Sequence, residues 1–170
     1  MAAIDKVERK FAPLTGTESD IAWAMLDFYR NTLLTKCQTL SDDQLMRAAV
    51  QPSPLTLLGL LRHMTEVERY WFEECILGQR GKRLYGGGTD SDLLHVHSAP
   101  ADEVVHSFYA ACEASRSIAS DHSLDEEVWC ELFAKPVSIR FIAIHMIEEY
   151  ARHCGHADLL REAIDGNTGL

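Results

Sequence analysis

The stretch from residue 138 to residue 166 constrains the fold of this chain most strongly. Apolar residues recur at helical spacing from Ser138, a typical helix N-cap, to Gly166, a typical helix terminator. On a helical wheel, one narrow sector contains His145, Glu149, His153, His156 and Leu160. Asp158 and Glu162 lie on the opposite side. A helix this long with one apolar face needs other helices to cover it, so the sequence predicts a helical bundle.

Three further long helices are predicted at residues 21–39, 55–77 and 100–120. The first follows Thr17, an N-cap residue type with acidic residues in the turn after it. Ser53 and Pro54 are the expected start of the second, because proline suits the first helical position, and Gly78 is its expected end. A short helical turn is expected after Ser41. Period-two alternation is not evident, so no strand is predicted.

These elements predict an all-α fold, a four-helix bundle, in one domain that spans residues 1–170. Residues 1–16 are expected to form an N-terminal lead-in. The longest connection, residues 79–99, contains three consecutive glycines, and loops of this length are often functional or mobile. The last connection covers residues 121–137, with one helical turn expected at residues 124–128.

The charge and composition of the chain argue against several classes of function. The formal net charge is −10, whereas nucleic acids and anionic membranes bind basic faces, so neither is an expected partner. No apolar run approaches the roughly 20 residues of a membrane span. The first ten residues carry charges and are not followed by the apolar stretch of a signal peptide. We therefore expect a soluble, cytoplasmic protein that acts on a small molecule.

Five cysteines are spread along the chain: Cys37, Cys75, Cys112, Cys130 and Cys154. Their number is odd and no pair has C-x-x-C spacing, so reduced thiols are expected rather than a disulfide framework. A cysteine beside a histidine, as at His153-Cys154, is also compatible with a nucleophile. Small buried thiols are the commoner case, and they are the interpretation favoured here.

Glu149 is the most informative residue on the predicted inward face. A carboxylate that faces a core needs a cation or strong hydrogen-bond donors, because burial of an unpaired charge is costly. His153 lies four residues later on the same face, so the two side chains can hold one metal ion together. The third ligand must come from another helix, and His63 is the best candidate. Three ligands leave positions open for water or substrate, as in catalytic metal sites. His145 and His156 share the face of Glu149 and remain alternatives.

Two stretches resemble the DinB/YfiT-like superfamily of bacterial metal-binding four-helix bundles. They are LTLLGLLRHMTEVERYWF at residues 55–72 and IHMIEEYARHCGHADLLREAIDG at residues 144–166. The segments TESDIAWAMLDFYRNTLL and LSDDQL also fit, so the resemblance covers nearly the whole chain. The chain looks closest to an actinobacterial branch near the mycothiol-dependent maleylpyruvate isomerases.

The resemblance implies a ligand pattern of a histidine on the second helix, then a histidine or glutamate followed four residues later by a histidine on the last. In this chain the pattern matches His63, Glu149 and His153. It implies a divalent metal, zinc most often and nickel in some members, with a thiol cosubstrate such as mycothiol. The implied function is a metal-dependent thiol S-transferase or isomerase acting on an electrophilic small molecule. A glutamate at position 149 is the version found in the isomerase group. A homodimer is also expected, because relatives often pair.

Two other functions stay open at this point. One is a non-catalytic bundle that binds a metal or a small molecule. The other is a tailoring enzyme for a secondary metabolite, which would carry a large hydrophobic cavity above the metal. Tyr70, Glu66 and Arg152 are candidates for contacts around the metal or with the substrate.

Overall fold

The computed structural model describes residue 4, residues 7–88 and residues 90–168. Its elements in chain order are α1 (Glu18–Cys37), α2 (Asp42–Leu45), α3 (Leu57–Glu68) with a π-helical continuation (Arg69–Ile76), α4 (Ser91–Leu94), a 3₁₀ turn (Val96–Ser98), α5 (Ala101–Ser120), β1 (Glu127–Cys130), β2 (Lys135–Ser138) and α6 (Ile139–Asp165). The predicted all-α bundle is confirmed, since α1, α3 with its continuation, α5 and α6 dominate. Of the predicted lead-in, residues 1–3, 5 and 6 lie outside the described residues. No described helix has the length and apolar character needed to cross a bilayer.

The start of the first helix and both ends of the last helix are set by local capping, as predicted. The Thr17 hydroxyl accepts a hydrogen bond from the amide of Asp20 at 3.1 Å, and the Asp20 carboxylate reaches back to the amide of Thr17. The Ser138 hydroxyl accepts from the amide of Phe141 at 3.1 Å. Gly166 ends α6 with φ of +79°, a left-handed conformation that glycine adopts without strain.

The predicted start of the second long helix at Ser53 and Pro54 is wrong. The helix begins at Leu57, with Thr56 as its N-cap, and the Thr56 hydroxyl accepts from the amide of Gly59 at 2.9 Å. The Ser53 hydroxyl instead accepts from the amide of Leu55 at 3.3 Å in an irregular segment. Ser53 and Thr56 are both N-cap residue types. Thr56 stands directly before the buried leucine run, and the helix begins after it.

The prediction of no strands is also wrong, as is the helical turn at residues 124–128. Strands β1 and β2 form an antiparallel hairpin in which Val128 pairs with Val137. Val128 and Cys130 face inward, while Trp129 between them points outward and is exposed. An apolar residue on the outer face hides the period-two pattern, and four residues per strand are too few to reveal it otherwise.

A buried polar network joins the four long helices at the centre of the bundle. Arg30 on α1 donates two hydrogen bonds of 2.7 Å to the carboxylate of Glu68 on α3. Tyr150 on α6 donates to the same carboxylate at 2.7 Å, and the Cys112 thiol on α5 lies 3.9 Å from it. Because the carboxylate has charged and polar partners, the network satisfies a buried charge and fixes how the helices sit against one another.

The long connection between the π-helical segment and α5 packs on α3, and α3 contacts the backbone carbonyl oxygens of this connection. A Cβ added at Gly59 would lie 2.4 Å from the carbonyl oxygen of Leu93, so α4 approaches α3 where no side chain intervenes. The buried guanidinium of Arg62 donates to the carbonyls of Ser91 and His95. These contacts hold α4 beside the part of α3 that carries the predicted metal ligand.

Candidate metal centre

The three side chains predicted to bind a metal lie together between α3 and α6. One ligand atom from each of His63, Glu149 and His153 lies within 4.8 Å of the others. The distance from His153 Nε2 to Glu149 Oε2 is 3.4 Å, and the rings of His63 and His153 have centroids 4.8 Å apart. Two imidazoles and one carboxylate form the donor set of many catalytic zinc sites, so these residues suit a divalent ion.

His63 is oriented by Asp92, a residue that the sequence did not single out. The Asp92 carboxylate lies 2.8 Å from His63 Nδ1, so Nε2 is the nitrogen of that ring that remains available to a metal ion. Burial acts to raise the pKa of Asp92, but the hydrogen bond and charge of His63 outweigh it and lower the pKa. An ionised carboxylate on the far nitrogen of a histidine is the usual support of a metal-binding imidazole.

His153 is the most buried of the three side chains. Burial, together with the nearby His63 and His156, lowers the pKa of His153 to about 4. Its imidazole is therefore neutral at pH 7 and keeps the lone pair that metal binding requires. The Nδ1 atom of His156 lies 3.4 Å from Nδ1 of His153, so His156 supports this ring from behind.

Glu149 sits at the rim of the core rather than inside it. Its side chain is 23% exposed, although the helical wheel places it on the inward face of the helix. One carboxylate oxygen faces His153 and the other lies 3.7 Å from His145 Nε2. His145, Glu148 and Glu149 form a second group of ligand types among the described residues. Glu148 in that group is already bound to Arg152 and is half-exposed, so the group around His153 fits an ion better.

The remaining predicted residues divide between the site and other roles. Glu66 and Tyr70 line the cavity beside His63. Arg152 is exposed and pairs with Glu148, and its charge helps to lower the pKa of His153. The Cys154 thiol is buried, lies 3.6 Å from the carbonyl oxygen of Tyr29 and has a pKa raised to about 12 by burial. A thiol with that pKa is protonated at pH 7, which argues against the nucleophile interpretation.

A cavity of about 460 Å³ adjoins the cluster at His63. It runs between α3 with its π-helical continuation and the tip of the β-hairpin. This volume lies within the range of small-molecule sites in enzymes. A divalent ion held by the cluster would therefore face a space large enough for a substrate.

A family model described as Mycothiol-S-transferase matches residues 22–166. The chain belongs to the mycothiol S-transferase family. The match includes all three predicted ligands and Asp92, and it agrees with the DinB/YfiT-like resemblance. Membership connects the protein with transfer of a low-molecular-weight thiol to a small molecule.

A crystal structure described as a conserved protein of locus from Enterococcus faecalis has the same fold. The two chains superpose with a TM-score of 0.64 over 90% of this chain and 100% of the other, at 13% sequence identity. At that identity the similarity supports the bundle fold alone. A comparison with curated proteins gave no match.

Proposed function

We propose that this protein is a metal-dependent mycothiol S-transferase whose ion is held by His63, Glu149 and His153. The observation that carries the proposal is the convergence of these three side chains within 4.8 Å beside an open cavity. Family membership supports the thiol, and the donor set supports zinc, with nickel as the alternative ion.

Each residue has a separate role in the proposed site. His63 and His153 offer imidazole nitrogens, and Glu149 offers a carboxylate that would offset part of the charge of the ion. Asp92 and His156 hold the two imidazoles from behind, so little reorientation is needed when the ion binds. A bound divalent ion lowers the pKa of a thiol that reaches it.

The proposed reaction joins mycothiol, through its sulfur, to an electrophilic carbon. The sulfur lone pair forms the new carbon–sulfur bond, and the bond from that carbon to its leaving group breaks with its electron pair. The thiol proton passes to solvent. The protein supplies the position of the two reactants in the cavity beside His63, which converts a reaction between two molecules into one within a complex.

The activity is tested with purified protein, zinc, mycothiol and an electrophile that changes absorbance when its leaving group departs. We expect wild-type protein to accelerate the transfer, and His63→Ala to reduce the rate at least hundredfold. His106→Ala is the matched control, because His106 is an exposed histidine on α5 outside the cluster. Equal rates for the wild type and His63→Ala would refute the proposal.

Metal content is tested separately, because a non-catalytic bundle could bind an ion without catalysis. We expect close to one zinc per chain in wild-type protein after purification in zinc-containing buffer, and much less in Glu149→Ala. One zinc per chain without any thiol transfer would instead support the metal-binding alternative. Zinc content that does not change in Glu149→Ala would show that this carboxylate is not a ligand.

A further inference from the structure

Glu149 directs its two carboxylate oxygens toward two different imidazoles of α6. Oε2 lies 3.4 Å from Nε2 of His153, and Oε1 lies 3.7 Å from Nε2 of His145. Both distances exceed the roughly 2.7–3.2 Å of a hydrogen bond between nitrogen and oxygen. Two ligand atoms that each lie about 2.1 Å from one tetrahedral ion are about 3.4 Å apart, so the His153 side of Glu149 has the spacing of a ligand pair. The contact with His145 on the other side needs a different explanation.

The structure does not bring His145 to the same ion as a fourth ligand. Its ligand atoms group within 4.8 Å with those of Glu148 and Glu149, whereas His63 and His153 group with Glu149 without it. Among the described residues, Glu149 is therefore the one member that the two groups share. His145 precedes Glu149 by one helical turn and His153 follows it by one turn, so the carboxylate lies between two histidines on one face of α6. His145 can act on the ion through Glu149.

Aromatic contacts restrict the His145 ring. Phe141 stacks on it with ring centroids 5.8 Å apart and 5° between the ring planes, and Trp71 packs edge-on against it at 4.9 Å. Phe133 of the hairpin turn packs against both Phe141 and Trp71, at 5.8 and 6.4 Å. Close packing of this kind limits the rotation of a side chain. The imidazole is 25% exposed, but these rings hold it beside Glu149 instead of leaving it free to turn into solvent.

The proton of the His145 ring is better placed on Nε2, toward Glu149, than on Nδ1. Nδ1 lies 3.5 Å from Oε2 of Glu148. Glu148 already accepts hydrogen bonds from two nitrogens of the Arg152 guanidinium, so much of its charge is offset. Glu149 must keep Oε2 available to the ion, and Oε1 is the oxygen that a donor can hold. A neutral imidazole carries one N–H, and Glu149 is the acceptor in greater need of it.

From this arrangement we infer that His145 is a positioning residue of the metal centre, whose Nε2–H donates to Oε1 of Glu149 and so holds Oε2 toward the ion. The inference rests on the proposed function, since it assigns a role at the ion of that site. A small rotation of the Glu149 side chain brings the 3.7 Å separation to hydrogen-bond length without moving the helix. Glu149 is 23% exposed, so without this donor water competes for both oxygens and the carboxylate loses its fixed direction. A hydrogen bond to a ligating carboxylate raises metal affinity.

Two substitutions of His145 separate the hydrogen bond from the aromatic packing. His145→Phe keeps a ring against Phe141 and Trp71 but removes the N–H, whereas His145→Gln keeps an N–H donor at a similar reach. Zinc affinity is measured by competition of the purified protein with a zinc-binding dye at pH 7.5. We expect His145→Phe to bind zinc threefold to tenfold more weakly than the wild type, and His145→Gln to stay within twofold of it. His106→Phe is the matched control, because His106 is exposed on α5 and belongs to neither group, and it should leave the affinity unchanged.

A double substitution tests whether His145 acts through Glu149. In Glu149→Ala the remaining two histidines bind zinc more weakly, and the addition of His145→Phe should then change the affinity less than twofold. An equal loss with and without Glu149 would overturn the inference, because an effect of packing does not need the carboxylate. Thermal unfolding without zinc checks the fold of each variant. If the phenylalanine variant does not fold, His145→Ala removes the same N–H and takes its place in both comparisons.

The inference and the proposed function fail in different ways. Wild-type zinc affinity in His145→Phe would overturn the inference, as would a His145→Gln protein that binds zinc as weakly as His145→Phe. Loss of a second zinc ion per chain in His145→Phe would make His145 a ligand of a separate site with Glu148, which also overturns it. The expected pattern of zinc affinities without any thiol transfer would refute the proposed function and leave the role of His145 in place. Wild-type protein that binds no zinc would refute both.

Discussion

Replacement of Asp92 with alanine is expected to weaken zinc binding about tenfold without unfolding the protein. Asp92 does not face the cluster of ligand atoms, but its carboxylate lies 2.8 Å from the far nitrogen of His63. That contact fixes the orientation of the ring and the position of its proton. Without it, His63 rotates and exchanges tautomers, and binding of the ion must supply the free energy that selects one arrangement.

The expected loss of zinc affinity follows from the hydrogen bond between Asp92 and His63 that the substitution removes. A hydrogen bond to a charged group contributes about 1.5–3 kcal/mol, which corresponds to about 10- to 150-fold in a binding constant. The His63 side chain is 24% exposed, so water can replace part of the lost contact, and the lower end applies. Asparagine can still accept a neutral hydrogen bond, which is roughly half as strong, so Asp92→Asn should lose about threefold to tenfold.

The assay is a competition titration of metal-free protein against a zinc-binding dye at pH 7.5. Asp90→Asn provides the matched control, because Asp90 starts the same short helix, has φ of +58° and makes no side-chain cap. Asparagine tolerates that left-handed conformation, so the control should bind zinc like the wild type. Thermal unfolding of the metal-free variants checks that the fold is kept. Wild-type affinity in Asp92→Ala would show that the carboxylate does not support a ligand.

Three further predictions concern the fold and the thiols. Gly59→Ala is expected to destabilise the protein by about 1–3 kcal/mol in urea unfolding, because the added methyl group would lie 2.4 Å from the carbonyl oxygen of Leu93. Tyr150→Phe is expected to cost about 1.5–3 kcal/mol in the same assay, since it removes a hydrogen bond to the buried carboxylate of Glu68. Burial raises the pKa of four thiols to about 12: Cys37, Cys75, Cys112 and Cys154. At pH 8 only about one molecule in ten thousand carries each thiolate, so iodoacetamide should label these thiols in urea but not in the folded protein, as measured by peptide mass spectrometry.

Each of these predictions has a contrary outcome. Gly87→Ala is the control for Gly59→Ala, because a Cβ at Gly87 meets no atom within 4 Å, and equal stability of the two variants would contradict the close approach of α4. A loss below about 0.5 kcal/mol in Tyr150→Phe would mean that water satisfies Glu68 equally well. Rapid labelling of Cys154 in the folded protein would restore the nucleophile interpretation.

Much of the bundle is predictable from the sequence, because its determinants are local. A cap such as Thr17 or Ser138 acts within three residues, and the terminator Gly166 acts within one turn. The pairing of Glu149 with His153 follows from the pitch of a single helix. The hairpin was not predicted, because its strands are short and Trp129 places an apolar side chain on the solvent-exposed face.

Asp92 was not predictable by the same reasoning, because it lies 29 residues after His63, in the short helix α4 of the long connection. One signal was nevertheless present in the sequence. Gly59 interrupts a run of leucines at the start of a helix, and a glycine there costs stability unless another part of the backbone approaches closely. The buried Arg62 one turn later is a second signal, because a guanidinium in a core needs carbonyl or carboxylate partners.

By itself, the sequence determined the helical character of the chain, most helix ends and the two ligand candidates on α6. These depend on periodicity and capping, which operate over about four residues. Only the tertiary structure decided that His63 meets them, that Asp92 orients His63, and that the hairpin turn covers an open cavity. These depend on contacts between segments tens of residues apart, such as the close approach of α4 to Gly59, and no local pattern encodes such distances.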